Sequence, residues 1–332
     1  MIITRTPFRI SFFGGGTDYP AWYREHGGAV LSTTINKYCH IYCRYLPPFF
    51  QYKFLLRYFH REETKTIDEI KHPSVRECLN YLGINHGIEM VHTGDIPAQS
   101  GMGSSSAFTV GLLSALYALT GKMATKRKIA REALYIEQNL LRENVGSQDQ
   151  IAAAFGGFNK IEFGGEREFY VSPLPLGQDR LSLLHSHLML FFTGLSRNAS
   201  VIAAEQIKRT NDKKVELKAL MDMVCEAISI LHGDPRNICD FGKLLHESWK
   251  IKRGITDLVS TEKIDDLYQN ARDNGAIGGK LLGAGGGGFL LIFAPPEKQK
   301  RIRERFNKVL FVPFHFESLG SQIVMYSTQE AA

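Results

Sequence analysis

Little in this chain of 332 residues suits an oxidised, metal-stapled or membrane-spanning protein. The five cysteines, Cys39, Cys43, Cys78, Cys225 and Cys239, are odd in number and contain no Cys-x-x-Cys pair. That excludes a zinc ribbon and argues for a reducing compartment. Cys39 and Cys43 share one face of a strand-like run, so both thiols are expected to be buried. No apolar run approaches spanning length, and Met1-Ile2-Ile3-Thr4-Arg5-Thr6-Pro7 has no signal-peptide core, so a cytoplasmic location is expected. Repeats and low-complexity segments are missing too. The net charge is +6, yet Lys and Arg are spread along the chain rather than gathered in a stripe. This argues against a nucleic-acid surface and for small anionic ligands. The hydrophobic fraction of 44% and charged fraction of 22% are ordinary for a globular protein, and the length favours two domains.

Several familiar catalytic signatures are missing or misplaced. No Walker loop exists, because each Gly-Lys pair is followed by Met or Leu. Gly283-Ala284-Gly285-Gly286-Gly287-Gly288 fits the dinucleotide spacing but runs into the apolar strand Phe289–Phe293, where that fingerprint needs a helix. Asp240-Phe241-Gly242 spells a kinase triplet inside a helical block, with no catalytic loop upstream. A Gly-x-Ser-x-Gly elbow is absent, which removes the serine-hydrolase reading.

What the chain does carry is Pro97-Ala98-Gln99-Ser100-Gly101-Met102-Gly103-Ser104-Ser105-Ser106-Ala107, set between the strand-like Ile88–Thr93 and an amphipathic helix. Phe108, Leu112, Ala115, Leu116 and Leu119 mark the apolar face of that helix, and Gly121 stops it. Glycines admit a ligand close to the backbone, and a helix start offers unpaired N–H groups and a positive dipole end. Phosphate is the natural guest; a serine-capped helix after a turn is the plainer alternative. A second glycine loop, Gly14-Gly15-Gly16-Thr17-Asp18-Tyr19-Pro20, follows a strand over 2–13 that Pro7 interrupts. Asp18 there is open to two readings, an Asx turn or an acceptor of ligand hydroxyls. Glu137 and Asp149 add carboxylates. Without further context Glu137 could be a solvated helix residue, Asp149 a helix cap, and Arg9 a structurally paired strand residue. Together these parts suffice for a magnesium–nucleotide site and for phosphoryl transfer to an alcohol.

Strands are expected over 29–35, 39–46 and 52–58, then a short helix near 75–82. Helices from Lys126 to about Leu141 and from near Gln148 follow, with a hairpin around Gly164-Gly165. The segment Pro173–Asp179 is the best domain boundary, which gives domains 1–180 and 181–332. Beyond it lie a strand over 187–192, a long helical block from Ala199 to about Lys252, and a helix over 261–272. Two strands then flank Gly283–Gly288, ahead of a helix over 296–307 and strands over 310–316 and 322–326. Strand–helix alternation on both sides of the linker indicates an α+β fold rather than one doubly wound sheet.

All three glycine loops, in order, resemble the GHMP kinases, the group that includes galactokinase, homoserine kinase, mevalonate kinase and phosphomevalonate kinase. The resemblance is strongest to a bacterial branch with D-glycero-D-manno-heptose 7-phosphate kinase and fucokinase-like domains. Arg5–Asp18 and Gln148–Phe158 carry that finer likeness. It implies a GHMP kinase fold, with an N-terminal domain like domain 2 of ribosomal protein S5 and a ferredoxin-like C-terminal domain. It also implies ATP and Mg2+, with Pro97, Gly101, Met102, Gly103, Ser104, Ser105 and Ser106 around the phosphates. Gly285 and Gly286 would belong to a third loop closing over them. Ser105 and Glu137 would hold the metal; Asp149 would be the catalytic carboxylate and Arg9 its neighbour beside the reacting hydroxyl. Gly16, Thr17 and Asp18 would bind the sugar. Galactokinases carry Glu-His where this chain has Gly15-Gly16, which puts galactose in doubt. The implied acceptor is the anomeric hydroxyl of a heptose 7-phosphate, with an unphosphorylated sugar or a non-catalytic sensor as alternatives. Ser196, Arg197 and Asn198 stand at an expected helix start. Arg197 either binds the acceptor's phosphate or caps a surface loop.

Overall fold

The computed structural model describes residues 1–98, 100–165, 168–195 and 199–327. Strand β1 (Ile2–Phe13) runs antiparallel to β2 (Gly28–Tyr45), an 18-residue strand rich in β-branched and aromatic residues. Sequence reading splits β2 at Asn36-Lys37; the chain bridges that polar pair because β1 supplies a ladder partner on both sides of it. Pro7 does not break β1. A register shift falls between Pro7 and Phe8, and the other neighbour of β1 pairs only with Ile2 to Arg5, so the missing N–H costs no ladder bond there.

Short strands β3 (Phe54–Arg57) and β4 (Arg61–Thr64), then β5 (Ile88–Gly94), extend this sheet, and the hairpin β6 (Phe158–Phe163) and β7 (Phe169–Pro173) joins along β2. A second sheet holds β8 (Leu188–Phe192), β9 (Gly278–Leu281), β10 (Phe289–Phe293) and β11 (Leu310–Phe311). Its order, β11-β8-β10-β9, with every pairing antiparallel, is that of a ferredoxin-like unit. The chain then returns. Strand β12 (Phe316–Glu317) pairs with β2, and β13 (Gln322–Tyr326) pairs with β1. The last strands therefore sit on the first sheet, although they follow the proposed boundary near residue 180.

The helix Ser104–Leu119 is buried on all sides from Ser106 to Leu119, not amphipathic as its pattern suggests. It packs on β1 and β2 and is covered by the helices Pro73–Leu82, Lys126–Tyr135 and Gln148–Phe155. A helix walled in this way needs no polar face. The long helical block resolves into Ala199–Lys208, Lys214–His232 and Ile238–Arg253. Phe241, from the misleading kinase triplet, packs edge-on against Phe12 and Phe13 and tilts over Phe293. One apolar core therefore runs between the two sheets. Cys39, Cys43 and Cys78 are buried in it as free thiols, and burial pushes all three well up from the usual thiol range.

Candidate active site

A cleft of about 350 Å³ opens where the end of β1, all three glycine loops and the turn before the Gln148–Phe155 helix converge. Gly103 occupies the N-cap of the Ser104–Leu119 helix in the left-handed conformation, with no capping side chain. The serine-capped alternative is therefore not what forms. Gly101, Gly103 and Ser104 to Ser106 line the cleft, whereas Met102 is a core residue and Pro97 is exposed away from it.

Asp149 lies in the first turn of the Gln148–Phe155 helix and faces this loop beside Gly103. Arg9 is only 4% exposed and clamps Asp149 with both forks, Nε to Oδ1 at 2.7 Å and Nη2 to Oδ2 at 2.9 Å. Its Nη1 donates to the Gly101 carbonyl at 2.8 Å, so one guanidinium fixes the carboxylate and the glycine loop together. Arg9 is thus paired, but with the other residue expected at the chemistry.

Asp18 lies deeper. Its oxygens accept from the Gly16 N–H and from Gln148 Nε2, each at 2.9 Å. Burial, aided by the Asp149 charge, raises its pKa above the usual carboxylate value despite those bonds. Gly146 closes over it, and a Cβ there would fall 1.9 Å from Asp18 Oδ2. Thr17 is a correction to the expected sugar contacts. It is fully buried and donates its hydroxyl to the Gly14 and Ala29 carbonyls, so it shapes the loop from behind.

Glu137 is not the solvated helix residue that its sequence allows; it falls on the face of the buried Ala130 and Ala133. The helix from Lys126 changes to a π-turn over Ile136–Leu140, and Glu137 points inward, wholly buried. Burial lifts it to about 7, with the Glu143 charge adding to the rise. Ser106 Oγ and Gln150 Nε2 donate to its Oε2, at 2.9 and 2.5 Å. The serine that pairs with Glu137 is therefore Ser106 rather than Ser105, which faces outward at the cleft. Among the described residues Glu137 Oε1 accepts no hydrogen bond, with the Thr109 hydroxyl nearby donating to the Ser105 carbonyl and favouring the carboxylate, as suits a hard oxygen open to a cation.

The third glycine loop contributes Gly283 and Ala284 to the cleft, while the Gly286 N–H is spent on the Val259 carbonyl and Gly285 packs on the same residue. Gly285 and Gly286 thus brace the loop rather than line the site. The close approach is between Gly101 and Gly283, where a Cβ on Gly283 would lie 2.5 Å from the Gly101 Cα. Ser196, Arg197 and Asn198 lie outside the described residues. Sequence reading also passes over Lys252 and Lys280, both buried in the cleft wall. Lys280 belongs to one of the Gly-Lys pairs set aside as not making a Walker loop.

Residues 70–157 match the family described as GHMP kinases N terminal domain, and residues 229–311 match GHMP kinases C terminal. A D-glycero-alpha-D-manno-heptose 7-phosphate kinase from Campylobacter jejuni is 31% identical over 92% of this chain and 93% of its own length. The chain belongs to the GHMP kinase family. A Bacteroides fragilis L-fucokinase/L-fucose-1-P guanylyltransferase is 26% identical over 90% of the chain but only 35% of that longer protein. The crystal structure of a D-glycero-D-manno-heptose 1-phosphate kinase from Bacteroides thetaiotaomicron superposes with a TM-score of 0.80 at 21% identity, covering 98% of this chain and all of that one. The fold is therefore the GHMP kinase fold. As a kinase of this family the protein takes its phosphoryl group from ATP. Among the described residues, no helix of this kinase is long and apolar enough to cross a membrane.

Proposed function

We propose that this kinase transfers the γ-phosphoryl group of ATP to the anomeric hydroxyl of D-glycero-D-manno-heptose 7-phosphate, giving the 1,7-bisphosphate. The observation that carries the reading is the Arg9–Asp149 clamp, set against the glycine loop at the helix start. The Campylobacter relative, alike over almost its whole length, supports the acceptor. The acceptor oxygen attacks the γ-phosphorus and its proton passes to Asp149, while the bond to the β–γ bridging oxygen breaks and its electron pair leaves with ADP. Arg9 holds Asp149 in the orientation that receives the proton. The helix start and backbone N–H groups of Gly103 to Ser106 take the phosphates. Asp18, aligned by Gly16 and Gln148, meets a sugar hydroxyl.

Magnesium fits the unpartnered Glu137 oxygen together with the Ser105 or Ser106 hydroxyl. When bound it would neutralise phosphate charge. Among the described residues no cluster of three or more His, Cys, Asp or Glu could hold a metal unaided, so phosphate oxygens would complete the shell. Arg9, Lys252 and Lys280 line the cleft beside Asp18, Asp149 and Glu143, with Arg9 already paired to Asp149.

The test is coupled ADP release with a panel of heptose 7-phosphate, heptose, fucose, galactose and mevalonate. The heptose phosphate should give the highest kcat/KM. A preference for free fucose or heptose would move the acceptor to an unphosphorylated sugar, and no turnover on any sugar would favour a sensor.

A further inference from the structure

The mechanism above leaves Lys252 and Lys280 without a task. Lys252 ends the Ile238–Arg253 helix and is 6% exposed; Lys280 sits in β9 and is 3% exposed. Each amine donates to one backbone carbonyl, Lys252 to Gly283 and Lys280 to Phe12, and among the described residues neither makes an ion pair. A buried ammonium that meets only a neutral carbonyl is costly and awaits an anion. Burial lowers Lys252 to about 8 and takes Lys280 well down from the usual lysine value.

The two positions are not equivalent. The Phe12 carbonyl stands behind the loop that leads to Asp18, on the acceptor side. Gly283, whose carbonyl takes the Lys252 amine, packs its Cα against Gly101 of the phosphate loop, and the Lys252 charge is felt together with those of Arg9, Asp18 and Asp149. Arg9 is pinned through three of its five donors, Nε and Nη2 to Asp149 and Nη1 to Gly101, so its guanidinium stays in place as a phosphoryl group moves. Lys252 has three donors and spends one.

We propose that Lys252 is a catalytic residue, the cation that binds the phosphoryl group in transit; the assignment rests on the phosphoryl-transfer reading of this cleft. As the bridging bond breaks and the acceptor oxygen bonds to phosphorus, charge spreads over three peripheral phosphoryl oxygens. Lys252 donates hydrogen bonds to these and keeps its protons. Asp149 alone takes the proton of the hydroxyl.

Lys252→Met keeps the stem and removes the ammonium. An interaction made mainly in the transition state predicts that kcat and kcat/KM fall together by ~100-fold or more, with KM for ATP within ~3-fold of the parent value. Lys252→Arg should recover part of the rate, and ADP affinity by calorimetry should be unchanged. If Lys252 only pins Gly283, ADP affinity falls and KM for ATP rises while kcat holds, which overturns the assignment. Acceptor-free ATP hydrolysis separates this idea from the choice of sugar. A wild-type enzyme inactive on every sugar, with hydrolysis still slowed ~100-fold by Lys252→Met, would discard the acceptor and keep the lysine. Rates within ~3-fold of wild type in both reactions overturn it.

Discussion

Asp149 and Arg9 make the sharpest case at the scale of single residues, because each determines what the other can do. Asp149→Asn keeps the size but cannot take a proton, and its amide nitrogen cannot accept from Arg9, so one of the two clamp bonds is lost. Turnover should fall by ~100-fold or more, with ATP affinity retained by calorimetry; near wild-type turnover would remove Asp149 from the chemistry. Gly146 offers a test that touches no catalytic group. The Cβ of Gly146→Ala would overlap Asp18 Oδ2, so Asp18 must move. KM for the sugar should rise by roughly tenfold or more, the scale of one charge-assisted hydrogen bond, with KM for ATP little changed. Lys252 also carries a pH signature. The groups whose charges reach it are Arg9, Asp18, Asp149 and Lys280, and burial holds it at about 8 against the usual 10.5. The unfolded chain binds the proton more tightly between those values, so the contribution of Lys252 to stability rises with pH through that window and is lost as pH falls through about 8. Lys252→Met removes the effect. Its denaturation midpoint should exceed the parent's most near neutral pH, and the gap should close toward pH 10.5. Sequence reading picks out Asp149 and Arg9 because a resemblance names them. It misses Lys252, since a lysine in a helical block is by default a solvated one, and only the tertiary fold buries its head.

Among the elements, the helix from Lys126 is what makes a metal site conceivable. Glu137 stands seven residues after Ala130 and four after Ala133, both buried, so the α-helical repeat itself turns it inward, and its carboxylate meets Ser106 beneath the first turn of the Ser104–Leu119 helix. Nothing in the run Ile136-Glu137-Gln138-Asn139-Leu140 announces the π-turn that begins there, because the local pattern suits either helix type. The glycine loops are legible from composition alone, and so is the helix start proposed to take phosphate. Which serine serves Glu137 is not, since Ser104, Ser105 and Ser106 are equivalent in sequence and differ only in the direction the helix gives them. Isothermal titration of Mg2+ in the presence of a non-hydrolysable ATP analogue separates them. Glu137→Ala should weaken Mg2+ binding by at least ~10-fold, as a lost hard oxygen ligand would. If Ser106 only orients Glu137, Ser106→Ala should have a smaller effect than Ser105→Ala. The reverse order would make Ser106 the ligand. Unchanged binding in all three variants would remove this metal site.

On the scale of the whole molecule, the unexpected feature is the return of the chain to its first sheet. The linker near residue 180 is legible as a break in composition, but strand pairing over some 300 positions leaves no local trace in a sequence. Strand β13 covers the outer edge of β1, and around it Thr6 bonds Ser321, Thr34 donates to the Glu317 carbonyl and the Tyr38 hydroxyl donates to the Glu317 carboxylate. A chain stopped after Phe314 would lose these bonds and bare the β1 edge that leads to Arg9. At about 1 kcal/mol for each of several lost bonds, it should be less stable by at least about 3 kcal/mol in urea denaturation. Activity should fall with the folded fraction rather than through KM, because neither strand lines the cleft. A fragment ending at residue 180 should fare worse, since it also loses Phe241 and Phe293 from the core it shares with the second sheet. If that fragment melts cooperatively with native-like near-ultraviolet dichroism, residues 1–180 are a domain in the folding sense. If it does so only when residues 313–327 are joined to it through a flexible linker, the first domain is discontinuous and is closed by the end of the chain.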